Sequence, residues 1–156
     1  MPSTEDAHSP PLHPRQRFHQ ICRRIKSNDE SMRCIDFRCQ GVNLQALGDA
    51  LRYNKHVQDL ILVGSLGTVD RVPGCDDVQS LFLGIARNTS LKSLNLSENK
   101  LGRSAVQDLL RVLREGIEHH PSLEKLALNK CHIHQDGLQV LVGKLWNALA
   151  RASWLA

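Results

Sequence analysis

Eight histidines and five cysteines are the residues of this 156-residue chain whose chemistry would be most conspicuous. His119, His120, His132 and His134 surround Cys131 in the C-terminal half, a nitrogen-and-sulfur set of the kind that holds zinc. Zinc needs four ligands converging as a tetrahedron. His119 and His120, however, fall at the end of a helical pattern, where a cationic imidazole suits the helix dipole. Cys34 and Cys39 have four residues between them and no second such pair. Asp76 and Asp77 follow the turn signal Pro73-Gly74 and read as solvated turn residues. The chain contains no G-x-x-x-x-G-K-S/T, no G-x-G-x-x-G, no G-x-S-x-G and no H-E-x-x-H. No convergent acid, base or nucleophile set can be named. The expectation is a protein without catalysis, cofactor or bound metal.

The bulk composition fits one domain. Hydrophobic residues make up 41% but aromatics only 4%, so Leu, Val and Ile must build the core. Charged residues are 23% and the net charge is +4. The basic residues gather early, in Arg15, Arg17, Arg23, Arg24 and Lys26. Such a run either forms a solvated helix face or attracts nucleic acid or anionic lipid. The solvated face is the simpler reading, and a nucleic-acid partner is not expected. The cysteines Cys22, Cys34, Cys39, Cys75 and Cys131 are odd in number and irregularly spaced, which predicts free thiols in a reducing compartment. The first residues lack the apolar core of a secretory signal, and no apolar run nears the about 18 residues of a membrane span. A cytoplasmic setting is expected, with the nucleus as the alternative.

Periodicity organises the rest. Residues 1–13 are rich in proline and polar residues and read as a disordered tail. Residues 14–29 read as a basic helix with Phe18, Ile21, Cys22 and Ile25 on one side. From there to about residue 150 the chain repeats itself. Leu91-x-x-Leu94-x-Leu96-x-x-Asn99-x-Leu101 and Leu123-x-x-Leu126-x-Leu128-x-x-Cys131-x-Ile133 fill every anchor of one pattern. Met32-x-x-Ile35-x-Phe37-x-x-Gln40-x-Val42 is a third copy with Gln at the Asn position. Val57-x-x-Leu60-x-Leu62 begins a fourth that degenerates at Gly64-Ser65-Leu66.

Before each later copy stand apolar pairs at helical spacing: Leu47 and Leu51, Leu81 and Ile85, Leu113 and Ile117. These stretches end in Asn54-Lys-His, Asn88-Thr-Ser and His120-Pro-Ser. The copies start 25, 34 and 32 residues apart. An insertion at about 68–77 accounts for the longest interval. A helix over about 104–118 lengthens the last.

Alternation around Leu94 and Leu96 suits a short strand with both leucines inward. The Asn at the ninth position can turn inward and bond backbone groups of the turn, and Cys131 can fill the same slot. One such unit cannot hide its apolar face, but stacked units can.

These repeats, over Met32 to Leu145, resemble the ribonuclease-inhibitor-like leucine-rich repeat, found also in cytosolic innate-immune receptors and tropomodulin-like actin regulators. The Leu101-Gly102 pair and Gly137 match that family's strand-to-helix turn. The resemblance implies an α/β solenoid of about four repeats, with parallel strands on the concave side and helices on the convex side. It also implies a non-catalytic module, scaffold or adaptor, that binds a partner protein on the strands.

On that frame the residues flanking the inward positions form three columns: Cys34, Asp59, Ser93, Lys125; Asp36, Ile61, Asn95, Ala127; and Arg38, Val63, Ser97, Asn129. The partner-binding set expected from them is Asp36, Arg38, Asp59, Ile61, Val63, Asn95, Ser97, Lys125 and Asn129. Ile61 and Val63 are apolar where solvent is expected. Either they anchor a partner or the segment 64–77 folds over them.

Two further readings stand beside this one. The repeats could serve as a regulatory accessory of an enzyme such as a GTPase or a ubiquitin ligase. The basic helix could bind a polyanion or a membrane surface in a salt-dependent way. Leu138, Leu141, Val142, Leu145, Trp146 and Leu149 form an apolar helical stripe, and a tail follows over 151–156. That end either self-associates or marks a chain that stops before its cap.

Overall fold

The computed structural model describes residues 13–66, 75–99 and 120–131. Helix α1 (Pro14–Lys26) opens the described chain. His13 caps it in a reciprocal box with Gln16, and Pro14 sits at the first turn, where a missing N–H costs nothing. Strand β1 (Cys34–Asp36), helix α2 (Leu44–Leu51), β2 (Asp59–Ile61), α3 (Cys75–Arg87), β3 (Ser93–Asn95) and β4 (Lys125–Ala127) follow. The Asn43 side chain caps α2 by accepting the N–H of Ala46 at 2.8 Å. The residues 75–77, read from sequence as the end of an insertion, form the first turn of α3.

The four described strands form one parallel sheet in chain order. Its register aligns Ile35, Leu60, Leu94 and Leu126, all buried. Behind them lie Leu47, Leu51, Leu81 and Ile85 from the helices, each fully buried. Phe18 of α1 packs on Phe37 with ring centroids 5.3 Å apart, tying the first helix to the first repeat. Strands in a sheet stand about 4.8 Å apart, whereas packed helices need about 8–10 Å. A stack of such units therefore bends with its strands inside.

Helices α2 and α3 meet backbone to backbone. A Cβ on Gly84 would lie 2.1 Å from the Gly48 carbonyl oxygen, and one on Gly48 would lie 2.3 Å from that of Ser80. Two facing glycines permit this approach, and no larger residue fits without separating the helices.

Two polar ladders run across the stack. The first lies where each helix returns to a strand. The Asn54 carbonyl oxygen accepts the N–H groups of His56 and Val57, and its amide donates to Ile25 O at the end of α1. Asn88 repeats this one unit later. It accepts from Ser90 and Leu91 and donates to Leu51 O and Asn54 O. Asp29 occupies the equivalent place before β1. It accepts from Ser31 and from Arg24 of α1. The Ser31 bonds, and then the Arg24 guanidinium, hold its carboxyl at about 2 rather than the ordinary 3.8.

The second ladder lies where each strand turns toward its helix. Ser65 donates to Phe37 O, Asn99 to Leu62 O at 2.8 Å, and the Cys131 thiol to Leu96 O at 3.2 Å. The sequence reading identified Asn99 and Cys131 for this slot. Ser65 completes it in the repeat that looked degenerate. Each of these turns also passes through the left-handed region at Cys39, Gly64, Glu98 and Lys130, with φ from 52° to 61°.

Two outcomes follow for unfolding experiments. Gly84→Ala should lower stability by up to about 2 kcal/mol in urea melts, because overpacking of about 1–3 kcal/mol outweighs the about 1 kcal/mol gained in helix propensity. Gly41→Ala, whose new Cβ meets nothing within 4 Å, should not show that loss. Asn88→Ala leaves the buried Leu91 N–H and the half-buried Ser90 N–H without their acceptor, while Leu51 O keeps the Asn54 N–H, and should cost at least about 1 kcal/mol at about 1–3 kcal/mol per orphaned buried group.

Candidate protein-binding face

Side chains alternate along a strand, so the neighbours of each inward leucine stand on the open face of the sheet. The register places Cys34, Asp59, Ser93 and Lys125 in one row and Asp36, Ile61, Asn95 and Ala127 in the next. Beyond the strands, bonds from Cys39 N to Val63 O, Gly64 N to Ser97 O and Glu98 N to Asn129 O continue the stacking into the turns. The row of Arg38, Val63, Ser97 and Asn129 belongs to this region.

The members of these rows are not equivalent. Asp36 and Asn95 each turn a side-chain oxygen onto the N–H two residues on, Arg38 and Ser97, at 3.0 Å. They are Asx turns as well as surface groups. Asp36 also pairs with the Arg38 guanidinium at 2.9 Å, on an exposed part of the face. Ser97 departs from the expected pattern. It is only 6% exposed, and its hydroxyl accepts the N–H of Asn129 at 3.2 Å. It supports the next repeat's turn rather than presenting a group to solvent. Arg38, Lys125 and Asn129 are exposed, and Asp59 and Asn95 are half-buried.

Ile61 stands between Asp36 and Asn95 in the register, and neither it nor Val63 carries a group that could bond the turn. Both are half-buried. They form an apolar centre in a polar surround. The segment beyond them begins by turning inward, with Ser65 and Leu66 buried. Its continuation over residues 67–74 lies outside the described residues. So do the apolar stripe of 138–149, the helix expected over 104–118, and His119, His132 and His134.

The described groups that could do chemistry are quiet. Cys22, Cys34, Cys39 and Cys131 are free thiols. Burial, opposed weakly by Lys26, pushes Cys22 up to about 11. Burial, then the carboxylates of Asp59 and Asp36, raises Cys34, and burial raises Cys131. These three are thiols rather than thiolates at neutral pH. Among the described residues no cluster of three or more His, Cys, Asp and Glu is placed to hold a metal ion, and no helix is long and apolar enough to cross a membrane.

His120, singled out in sequence as a ligand candidate, is instead a rung of the first ladder. Its Nδ1 accepts the N–H groups of Ser122 and Leu123, and its Nε2 bonds Ile85 O at 2.9 Å. What sequence reading missed is the ladder role of Asn54, Asn88 and His120. The available signal was their common place, three residues before each repeat's first leucine or valine.

Residue-resolved alkylation reads the face directly. Cys34 is exposed yet held protonated, so at pH 8 it should react more slowly than a free cysteine, and its rate should still be climbing above pH 9, the ordinary thiol value.

Known proteins agree with this architecture. A family model described as "Leucine Rich repeat" matches residues 87–110 and 119–142. Human NACHT, LRR and PYD domains-containing protein 5 is 37% identical over 116 residues, which are 74% of this chain and 8% of that protein. The chain thus spans less than a tenth of that relative's length. Among solved structures, leiomodin-1 actin-binding site 2 superposes with a TM-score of 0.56 at 17% identity, covering 92% of this chain and 90% of that one. The tropomodulin C-terminal domain of Caenorhabditis elegans gives 0.53 at 14% identity, with coverages of 86% and 94%. Recurring sequence, in-register parallel strands with helices behind them, and these likenesses identify the repeats of this chain as leucine-rich repeats.

Proposed function

We propose that this chain is a protein-interaction module whose strand face binds a partner protein, centred on Ile61 and Val63. The observation that carries this reading is the apolar pair set among Asp36, Arg38 and Asn95 of the flanking repeats and Asp59 of its own strand. A partner's apolar group would be desolvated at the centre while charged and amide groups fix its orientation at the rim. Lys125 and Asn129 extend the rim toward β4. A scaffold or adaptor role, in a cytoplasmic setting, fits a face with no catalytic set. A role as accessory to an enzyme such as a GTPase or a ubiquitin ligase would use the same face to choose the target. The leiomodin-1 segment that shares the fold is an actin-binding site, so actin supplies the first defined probe.

A second surface sets the rival reading. Arg15, Arg17, Arg23 and Lys26 are exposed along α1, which contains no acidic residue. Its apolar side is already buried at Phe18, Cys22 and Ile25. That leaves no apolar face for a bilayer, so a partner there would be held by charge alone and lost steeply with salt.

Affinity capture with quantitative mass spectrometry, followed by titration of each captured protein and of actin, separates the two. The pair Ile61→Asp and Val63→Asp should weaken the specific partner by at least about 30-fold, the equivalent of about 2 kcal/mol, with the melting temperature unchanged. Retention by this variant, together with loss on Arg15→Glu and Arg23→Glu, would move the site to α1.

A further inference from the structure

We propose that His120 makes the junction between the third and fourth strands' repeats a proton-sensitive joint, which loosens on mild acidification and alters the β4 end of the strand face. The argument begins from the repeat of one hydrogen-bond pattern with a changed residue. Asn54, Asn88 and His120 each accept two N–H groups, from the residues two and three positions on, and each reaches back to a carbonyl at the end of the preceding helix: Ile25, Leu51 and Ile85. An amide does this with fixed roles, since its oxygen accepts and its nitrogen donates. An imidazole does it in one tautomer, with the proton on Nε2 for Ile85 O and a bare Nδ1 for Ser122 and Leu123.

A second proton removes the acceptor. Nδ1–H would then face the Leu123 N–H at 3.0 Å and the Ser122 N–H at 3.3 Å. The ring must leave, which releases Ile85 O and two N–H groups at the entry to β4. Lys125 and Ala127 of β4, with Asn129 behind them, form that end of the strand face.

The surroundings favour the neutral ring. Its nearest polar partners are backbone groups, and burial opposes the charge more strongly than the Ile85 carbonyl supports it. The charged residues flanking it on the packed elements are Arg87 at the end of α3, and Glu124 and Lys125 after the turn, all exposed. Glu118 and His119 lie outside the described residues. Since the folded chain resists protonation below the ordinary 6.5, the unfolded chain binds more protons there. The contribution of His120 is therefore complete above about pH 6.5 and is lost as the pH falls below it. Of the other described rungs, Asn54 and Asn88 do not titrate, and Asp29 stays ionised down to about pH 2. His120 alone among these four changes state in the mildly acidic range.

Amide hydrogen exchange on the full chain, resolved by NMR, tests the joint with an internal reference. The protection of Ser122 and Leu123 is divided by that of Ser90 and Leu91, which sit on the Asn88 rung, at pH 7.5 and at pH 5.5. The wild-type ratio should fall by up to about tenfold, since a free imidazole is about nine-tenths protonated one unit below 6.5. In His120→Asn, which restores the amide of the other rungs, the ratio should not change with pH. The imidazole nitrogen shifts of wild type should show Nε2–H at pH 7.5. A wild-type ratio that is constant with pH, an equal fall in His120→Asn, or an Nδ1–H tautomer would each overturn the proposal. The tautomer and the wild-type ratio decide the matter even if the variant does not fold.

Discussion

A chain that leaves a helix or a strand carries polar backbone groups into a turn, and here the bonds made within each repeat are joined by bonds from the next. The carbonyls at the ends of α1, α2 and α3 are bonded by side chains from the next unit, Asn54, Asn88 and His120. The carbonyls that follow the strands are bonded by Ser65, Asn99 and Cys131, again from the next unit. Burial of the leucines supplies the driving force, but it is non-directional. The ladders convert it into one register. A slip by a single residue would break these bonds between repeats together and turn the buried leucines to the other face.

This constraint divides the labour among the side chains. Inward positions are spent on the core and the turn positions on the ladders, so chemical variety is left to the rows between. Even there some residues serve the frame: Asp36 and Asn95 hold their turns, and Ser97 holds the turn of the next repeat. Ile61 and Val63 have no such duty. That is why an apolar pair in the second repeat stands out against its neighbours, where polar residues have structural reasons to be present.

The facing glycines show the same economy on the helical side. Gly48 and Gly84 let α2 and α3 approach to backbone contact, so the helices of the first and second repeats sit closer than larger side chains would permit. Spacing of the strands is set by hydrogen bonds and varies little. Helix spacing is set by side-chain size, so it is where sequence can tune how strongly the strand face curves toward a partner.

Much of this was legible from the amino-acid order. The strand triplets, the inward Ile35, Leu60, Leu94 and Leu126, the helix stripe of Leu47, Leu51, Leu81 and Ile85, and the shared slot of Asn99 and Cys131 all follow from patterns a few residues long. Periods of 2 and 3.6 are local, and a local rule can be read from a local string. The tertiary structure alone decided which carbonyl some 30 residues away each polar side chain would satisfy. It put Ser65 in a ladder slot that the second repeat had seemed to lose. It buried Ser97, began α3 at Cys75, and made His120, read from sequence as a helix-end residue, a rung. Those outcomes depend on groups brought together by stacking, and a hydrogen bond between repeats leaves no periodic trace in either one.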